Sequence, residues 1–332
     1  MNDTIENIIS LINSNKYFII TTHVNPDGDA IGSELALSRH LTLLDKNVKI
    51  INHSPTPDYL RFMLNSDDNI LEFNEEEHSS LIENADVIFT LDLSQLSRTK
   101  SLENYIRKSN AIKICIDHHP FPEDYAELSL IDTLSSSTGE LIYRLIKQSR
   151  TELNLGIALP LYVAIMTDTG SFKYERTTAN LHRIIAELLD AGVIPIKVHQ
   201  EIYDQGSANR IQLLGRAFNS LTITGDGRLA YMKISLNDLK ETNSKEEDVE
   251  GFVSYTLSIK GVEVGLFFFE LENGFKISLR SATKVPVNKL AAEFNGGGHF
   301  FAAGARLENK NMEETIPKVI ETAIKYLQQY LV

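Results

Sequence analysis

Apolar positions in the first half of the chain recur in two alternating rhythms. Ile5, Ile8, Ile9 and Ile12 fall at helical spacing and predict a helix over 3–15, with Asp3 as its N-cap. Residues 17–24, 48–53, 87–93, 111–117 and 128–132 are short β-rich runs, with helical stretches at 29–44 and 138–148 among them. Strands alternating with helices predict an α/β fold with a mainly parallel sheet covered on both faces. The segment 157–167 is too apolar and too long for an exposed strand and reads as a buried helix leading to Asp168. Residues 178–191 form an amphipathic pattern stopped by Gly192.

The second half has a different texture. Residues 196–221 continue at helical spacing with Gly206 in the middle, which predicts a helical connector. Short strands at 221–224 and 229–234 flank a Gly-Asp-Gly turn, and 235–250 is a polar, acidic loop with some helix. A hairpin is predicted from 261–270 and 275–281 around Glu272-Asn273-Gly274. A helix at 287–294, a strand at 301–307 and a helix at 313–330 close the chain. The expected organisation is therefore a larger α/β domain over 1–191, a connector over 192–221, and a smaller α+β domain over 222–332. A length of 332 residues is comfortable for two cores.

Composition narrows the setting. No apolar run approaches the ~20 residues needed to span a membrane. The first ten residues lack a basic stretch ahead of an apolar one, as a secretory signal would have. A cytoplasmic location is the expectation. Cys115 is the single cysteine and sits in an apolar run, which suits a small buried hydrophobe and rules out an intramolecular disulfide. A net charge of −13 argues against wrapping long duplex nucleic acid, because that affinity comes from neutralised phosphates. Small anions remain accessible wherever metal ions or a few Arg and His reverse the local sign.

The chemistry concentrates at the carboxyl ends of the predicted strands. The first strand runs into His23, Asp27 and Asp29; the strand at 87–93 carries Asp92; the strand at 111–117 ends on Asp117-His118-His119; the apolar segment at 157–167 ends on Asp168. Ligands of open α/β sheets bind outside those ends. One Asp at a strand end is often a helix N-cap, and Asp29 or Asp168 alone would be read that way. Four such deliveries to one edge are different, because clustered carboxylates repel unless a cation neutralises them. Carboxylates with imidazoles and no thiolate suit Mn²⁺, with Mg²⁺, Co²⁺ or Fe²⁺ as substitutes. The number of ligands suffices for two ions, which when roughly 3.5–4 Å apart clamp the oxygens of an in-line phosphoryl displacement. Ser136-Ser137-Thr138-Gly139-Glu140 reads as a capped helix N-terminus.

These residues resemble a known family. His23-x₃-Asp27-x-Asp29-Ala30-x-Gly32-Ser33, then Asp92, then Asp117-His118-His119, then Asp168-Thr169-Gly170-x-Phe172 are similar to the four motifs of the DHH phosphoesterases. Ser278-Leu279-Arg280-Ser281 and Gly296-Gly297-Gly298-His299-x₂-Ala302-Ala303-Gly304 resemble the DHH-associated C-terminal domain. Length, order and spacing are closest to the nanoRNase/pAp phosphatase branch. One departure is Asn295, where the family commonly has a further glycine.

The resemblance implies a two-metal phosphoesterase that cleaves short single-stranded oligonucleotides, linear dinucleotides such as pApA among them, and dephosphorylates 3′-phosphoadenosine 5′-phosphate (pAp). It implies that His23, Asp27 and Asp92 hold one ion, and that Asp29, Asp92, His118 and Asp168 hold the other. Asp117 would orient a neighbouring histidine, and His119 would meet the scissile phosphate. Arg280, Ser281, Gly297, Gly298 and His299 would bind substrate. A homodimer is in keeping with the family. The competing enzyme reading is a pyrophosphatase or exopolyphosphatase with the same metal chemistry; the competing reading of another class is an inactive nucleotide-binding module.

Overall fold

A computed structural model describes residues 2–68, 70–224 and 226–330. The chain divides into two compact units, one running to Gln205 and one starting at Gly206. In the first, the elements follow one another as α1 (Asn2–Ser14), β1 (Tyr17–Thr21), α2 (Gly28–Leu43), β2 (Asn47–Asn52), β3 (Ile70–Glu72), α3 (Glu75–Glu83), β4 (Val87–Leu91), α4 (Glu103–Lys108), β5 (Ile112–Asp117), β6 (Leu128–Ile131), α5 (Thr138–Gln148), α6 (Leu155–Asp168), α7 (Ala179–Asp190) and α8 (Pro195–Tyr203).

The six strands form one sheet in the order β3-β2-β1-β4-β5-β6, and every neighbouring pair is parallel. All five positions of β4 are buried, as expected of a strand covered on both faces. The chain moves outward from β1 to β2 and β3, then returns to β4 on the other side of β1. Such a reversal opens a crevice at the carboxyl ends of the two central strands.

Two glycines set how closely the helices behind that crevice can approach. A Cβ on Gly32 of α2 would lie 2.4 Å from the carbonyl oxygen of Pro160 in α6, so the two helices cross backbone to backbone. A Cβ on Gly139 of α5 would lie 2.5 Å from Ala164 Cβ. Pro160 cannot donate to the carbonyl one turn before it. That carbonyl, on Gly156, accepts from the Arg39 guanidinium instead. The apolar segment read as a buried helix is thus α6, with nine buried residues between Ile157 and Met166.

In the second unit, α9 (Ala208–Asn219) leads to β7 (Thr222–Thr224), β8 (Leu229–Ile234), α10 (Leu236–Thr242), β9 (Val264–Leu271), β10 (Gly274–Ser281), α11 (Val287–Ala292), β11 (Gly297–Gly298), β12 (Ala302–Leu307) and α12 (Met312–Tyr330). The sheet order is β11-β12-β10-β9-β8-β7, antiparallel except for the parallel pair β8–β9. Period-two alternation in β9 sends Leu266 and Phe268 to the face covered by α12, and Phe267 and Phe269 to the face covered by α9.

The stretch expected to form one connector is shared between the two cores. Val193 and Val198 pack in the first, while Leu213, Leu214 and Ala217 pack in the second. The acidic loop at 235–250 holds α10 and a short 3₁₀ turn, Glu246–Val249.

Candidate active site

Each acidic or imidazole group is placed by the end of an element. His23 follows β1 by two residues and is 6% exposed. Asp27 caps α2: its Oδ1 accepts from the Asp29 and Ala30 backbone N–H groups at 3.0 and 3.1 Å. Asp29 lies in the first turn of that helix and is 1% exposed. Its Oδ2 accepts from Thr138 N at 2.7 Å, and its Oδ1 from Gly139 N at 2.8 Å and Ser33 Oγ at 3.2 Å. The positive end of α5 therefore holds this carboxylate, not an external anion.

Asp92 follows β4 in a left-handed conformation with φ +59°. An Asp there is uncommon, and such conformations collect where a side chain must be aimed. Asp92 is 2% exposed. Its Oδ2 lies 3.4 Å from His23 Nε2, and its Oδ1 lies 3.6 Å from His118 Nε2. The Thr138 hydroxyl donates to Oδ1 at 3.0 Å.

His118 Nε2 is buried without a hydrogen-bond partner, yet faces three carboxylates: Asp168 at 3.4 Å, Asp92 at 3.6 Å and Asp29 at 3.7 Å. Two groups of ligand atoms emerge, His23-Asp27-Asp92 and Asp29-His118-Asp168, each gathered within 4.8 Å. Asp92 belongs to the first and borders the second. His119 joins a further group with Asp92 and His118, but its side chain is 40% exposed against 5% for His118. Its Nδ1 lies 2.8 Å from Asp117 Oδ1. A carboxylate only accepts, so that nitrogen carries the proton and Nε2 is left free.

The electrostatics fit a dication pair. Burial raises the Asp29 carboxyl well above its ordinary pKa, and repulsion from Asp92, Asp168 and Asp27 adds to it. Burial raises Asp168 to about 6, with His118 opposing and Asp92 and Asp27 reinforcing. Burial would also raise Asp92, but the His23 hydrogen bond and the charges of His119, His118 and His23 hold it below the usual range. His119 is raised, chiefly by its hydrogen bond to Asp117. Carboxylates that repel one another around an unpartnered imidazole nitrogen are the arrangement a divalent cation stabilises.

Three further residues join this site that sequence reasoning did not place in it. The Thr138 hydroxyl and the Gly139 N–H bind Asp92 and Asp29; the capped-helix pattern at 136–140 is the signal that marked their place. Arg98, half-buried, has no hydrogen bond or ion pair from its guanidinium among the described residues, and its charge opposes protonation of both His23 and His119. No spacing signal in the sequence marks Arg98.

Within the second unit, the predicted substrate residues are brought together at one end of the sheet. Arg280 lies opposite Ala302 in the β10–β12 register, and Gly297 and Gly298 pair with Gly304 and Ala303. His299 follows directly and is exposed. Gly298 has φ +142°, and a Cβ on it would lie 2.6 Å from Ala302 O, so this position requires glycine. Ser281 is different: its buried hydroxyl donates to Thr283 O at 3.1 Å and accepts from Thr283 N at 3.2 Å. It shapes the turn after β10 and presents no free hydroxyl.

Residues 17–167 match the DHH family, N-terminal domain, and residues 226–329 match the DHHA1 domain. The bifunctional oligoribonuclease and PAP phosphatase NrnA of Thermus thermophilus is 31% identical over 91% of this chain and 87% of its own length. The chain belongs to the DHH family. The protein of the same name from Bacillus subtilis is 28% identical over 92% of this chain and 94% of its own. A crystal structure of an exopolyphosphatase-related protein from Bacteroides fragilis is 34% identical, with a TM-score of 0.89 over 99% of this chain and 97% of that one. The DHH match encloses every candidate metal ligand except Asp168, the first residue beyond it. Asn295, the departure from the DHHA1 glycine pattern, has φ +57°, a conformation asparagine tolerates better than most residues.

Proposed function

We propose that this DHH protein hydrolyses short single-stranded oligonucleotides to nucleoside 5′-monophosphates and removes the 3′-phosphate of pAp. The observation that carries the reading is Asp92, a buried carboxylate within reach of both ligand groups. Relatives similar over nearly their whole length bear both activities in their names. The second unit adds Arg280 and His299, groups suited to a nucleotide's phosphates. Any metal-dependent phosphate hydrolysis would use the first unit; a reader of nucleotides needs the second.

His23, Asp27 and Asp92 would hold one ion, and Asp29, His118 and Asp168 the other, with Asp92 shared. Bound divalent ions, Mn²⁺ by the oxygen and imidazole donor set, supply charge neutralisation at the phosphoryl oxygens and a nucleophile at neutral pH. The protein's own groups do the rest. Asp117 holds the His119 ring by its Nδ1–H, so that Nε2 would meet the scissile phosphate and, in the imidazolium form that the Asp117 contact favours, would pass its own proton to the leaving oxygen. Thr138 and the first N–H groups of α5 keep Asp92 and Asp29 in place. Among the described residues no helix is long and apolar enough to cross a membrane, in keeping with action on dissolved nucleotides in the cytoplasm.

The test is nucleoside monophosphate release from pApA and from pAp by purified protein with Mn²⁺, alongside inorganic pyrophosphate. Chelator-sensitive AMP release from both nucleotides supports the reading. Hydrolysis of pyrophosphate alone overturns it.

A further inference from the structure

The glycine segment and β12 are joined by a tight turn whose tip carries two aromatic rings. His299 N donates to Ala302 O at 2.7 Å, and Ala302 N donates back to His299 O at 3.2 Å. Phe300 and Phe301 are the two residues enclosed. They are 41% and 57% exposed, side by side, with ring centroids 4.8 Å apart at 69°. The tip is not loose. Val287 N donates to Phe300 O and Ser281 N donates to Phe301 O, both at 3.0 Å. Four backbone hydrogen bonds therefore fix where the rings stand.

Packing does not account for this exposure. The apolar side chains on either side of the turn, Leu279, Val287, Ala303 and Ala305, are all buried in the core. The surroundings of the rings are polar: Gly297, Gly298 and His299 are exposed beside them. Arg280 lies across the ladder from Ala302, next to Phe301 in sequence. Its guanidinium is half-buried and donates only to the Leu279 carbonyl, at 3.0 Å, with no carboxylate partner among the described residues. Fixed aromatic faces beside an uncompensated cation and open glycine backbone are what a base attached to a phosphate requires. A protein partner or a lipid surface would call for a wider apolar field than two rings with a polar rim.

We propose that Phe300 and Phe301 are a stacking platform for a nucleobase of the bound oligonucleotide, with Arg280 receiving the adjoining phosphate. The proposal rests on the nucleotide activity argued above and adds to it a base subsite. Stacking accepts every base, because every base has a π-face, so the platform selects nucleotides over base-free phosphates without selecting a sequence.

The test compares wild type, Phe300→Ala/Phe301→Ala and Phe300→Tyr/Phe301→Tyr. Binding of pApA is measured by calorimetry and its hydrolysis by steady-state kinetics. The same measurements use dinucleotides lacking one adenine or the other. The double alanine variant should bind pApA roughly 5- to 100-fold more weakly. Its KM should rise in step, with kcat kept and the tyrosine variant near wild type. The difference should vanish on the dinucleotide lacking the stacked adenine. Equal weakening on all three substrates would mean that the turn itself was lost, and would overturn the platform. So would unchanged binding, including unchanged binding with altered sedimentation, which would assign the rings to contact between copies. A wild type that binds pApA through the rings but does not cleave it sinks the proposed activity and leaves the subsite standing.

Discussion

Asp117 Oδ1 lies 2.8 Å from His119 Nδ1 and accepts the His118 backbone N–H at 2.9 Å. One buried oxygen thus fixes two consecutive histidines in opposite directions: His118 turns inward to three carboxylates, and His119 turns outward with Nε2 free. Asp117→Asn should leave bound metal unchanged and reduce kcat on pApA roughly 10²- to 10⁴-fold, the usual worth of a positioned proton donor. Elemental analysis of the purified variant beside its turnover number checks this. A variant that loses metal as well would place Asp117 in the ligand set.

Asp168 accepts no hydrogen bond from protein groups among the described residues, so its charge is opposed by His118, by the more distant His119 and by whatever cation is present. Asp168→Asn should raise the melting temperature of the metal-free protein, because repulsion with Asp92 and Asp27 is removed. It should also shrink the stabilisation from added Mn²⁺. Each bound ion contributes about 2.7 kcal/mol at a hundred times its Kd. Thermal melts with and without Mn²⁺ give both quantities, and an unaltered Mn²⁺ response would remove Asp168 from the site.

His40 is fully buried in α2 and neither ring nitrogen has a hydrogen-bond partner. Burial lowers its pKa from 6.5 to about 4. Between those values the unfolded chain binds the proton and the folded one does not, so stability is full above 6.5 and is lost as pH falls toward 4. The loss between pH 7 and pH 4.5 is about 2–3 kcal/mol. His40→Leu should abolish that part of the acid dependence, read as urea midpoints at the two pH values.

Two glycine substitutions should act in opposite directions. Gly139→Ala drives a methyl group to 2.5 Å from Ala164 Cβ and 3.4 Å from Asp29 Oδ1. It should destabilise by about 1–3 kcal/mol and reduce activity, because α5 withdraws its N–H groups from Asp29. Gly215 lies within α9 with nothing within 4 Å of the added carbon. Gly215→Ala should stabilise by about 0.5–1 kcal/mol with turnover unchanged. Denaturant melts and pApA kinetics on both variants check the contrast.

Most of the candidate metal ligands were legible in the sequence because they sit where an apolar rhythm stops. β4 is five apolar or β-favouring residues followed at once by Asp92, and β5 runs directly into Asp117-His118-His119. What could not be read arises from contacts distant in sequence. Thr138 reaches Asp92 across 46 positions, and nothing local distinguishes its hydroxyl from an ordinary cap-region threonine. Strand β3 has three residues on the sheet edge, half-exposed, and so lacks a two-residue period long enough to see. Residues 252–258 form a 3₁₀ helix that buries Phe252 and Val253 under the second sheet, where periodicity of 3.6 does not apply. The helices of the connector were visible, but helical spacing reports helices, not which core they join.

Asp29 is held by the start of α5, 109 and 110 positions further along, and completes its ligand group only with Asp168 at the end of α6. During synthesis, a chain that has emerged as far as residue 137 carries His23, Asp27, Asp92 and the paired histidines, yet leaves Asp29 without its backbone donors. The second group of candidate ligands is thus complete only when nearly the whole first unit has been made. A chain that stops before the end of α6 carries His23, Asp27 and Asp92 but leaves the Asp29-His118-Asp168 group incomplete.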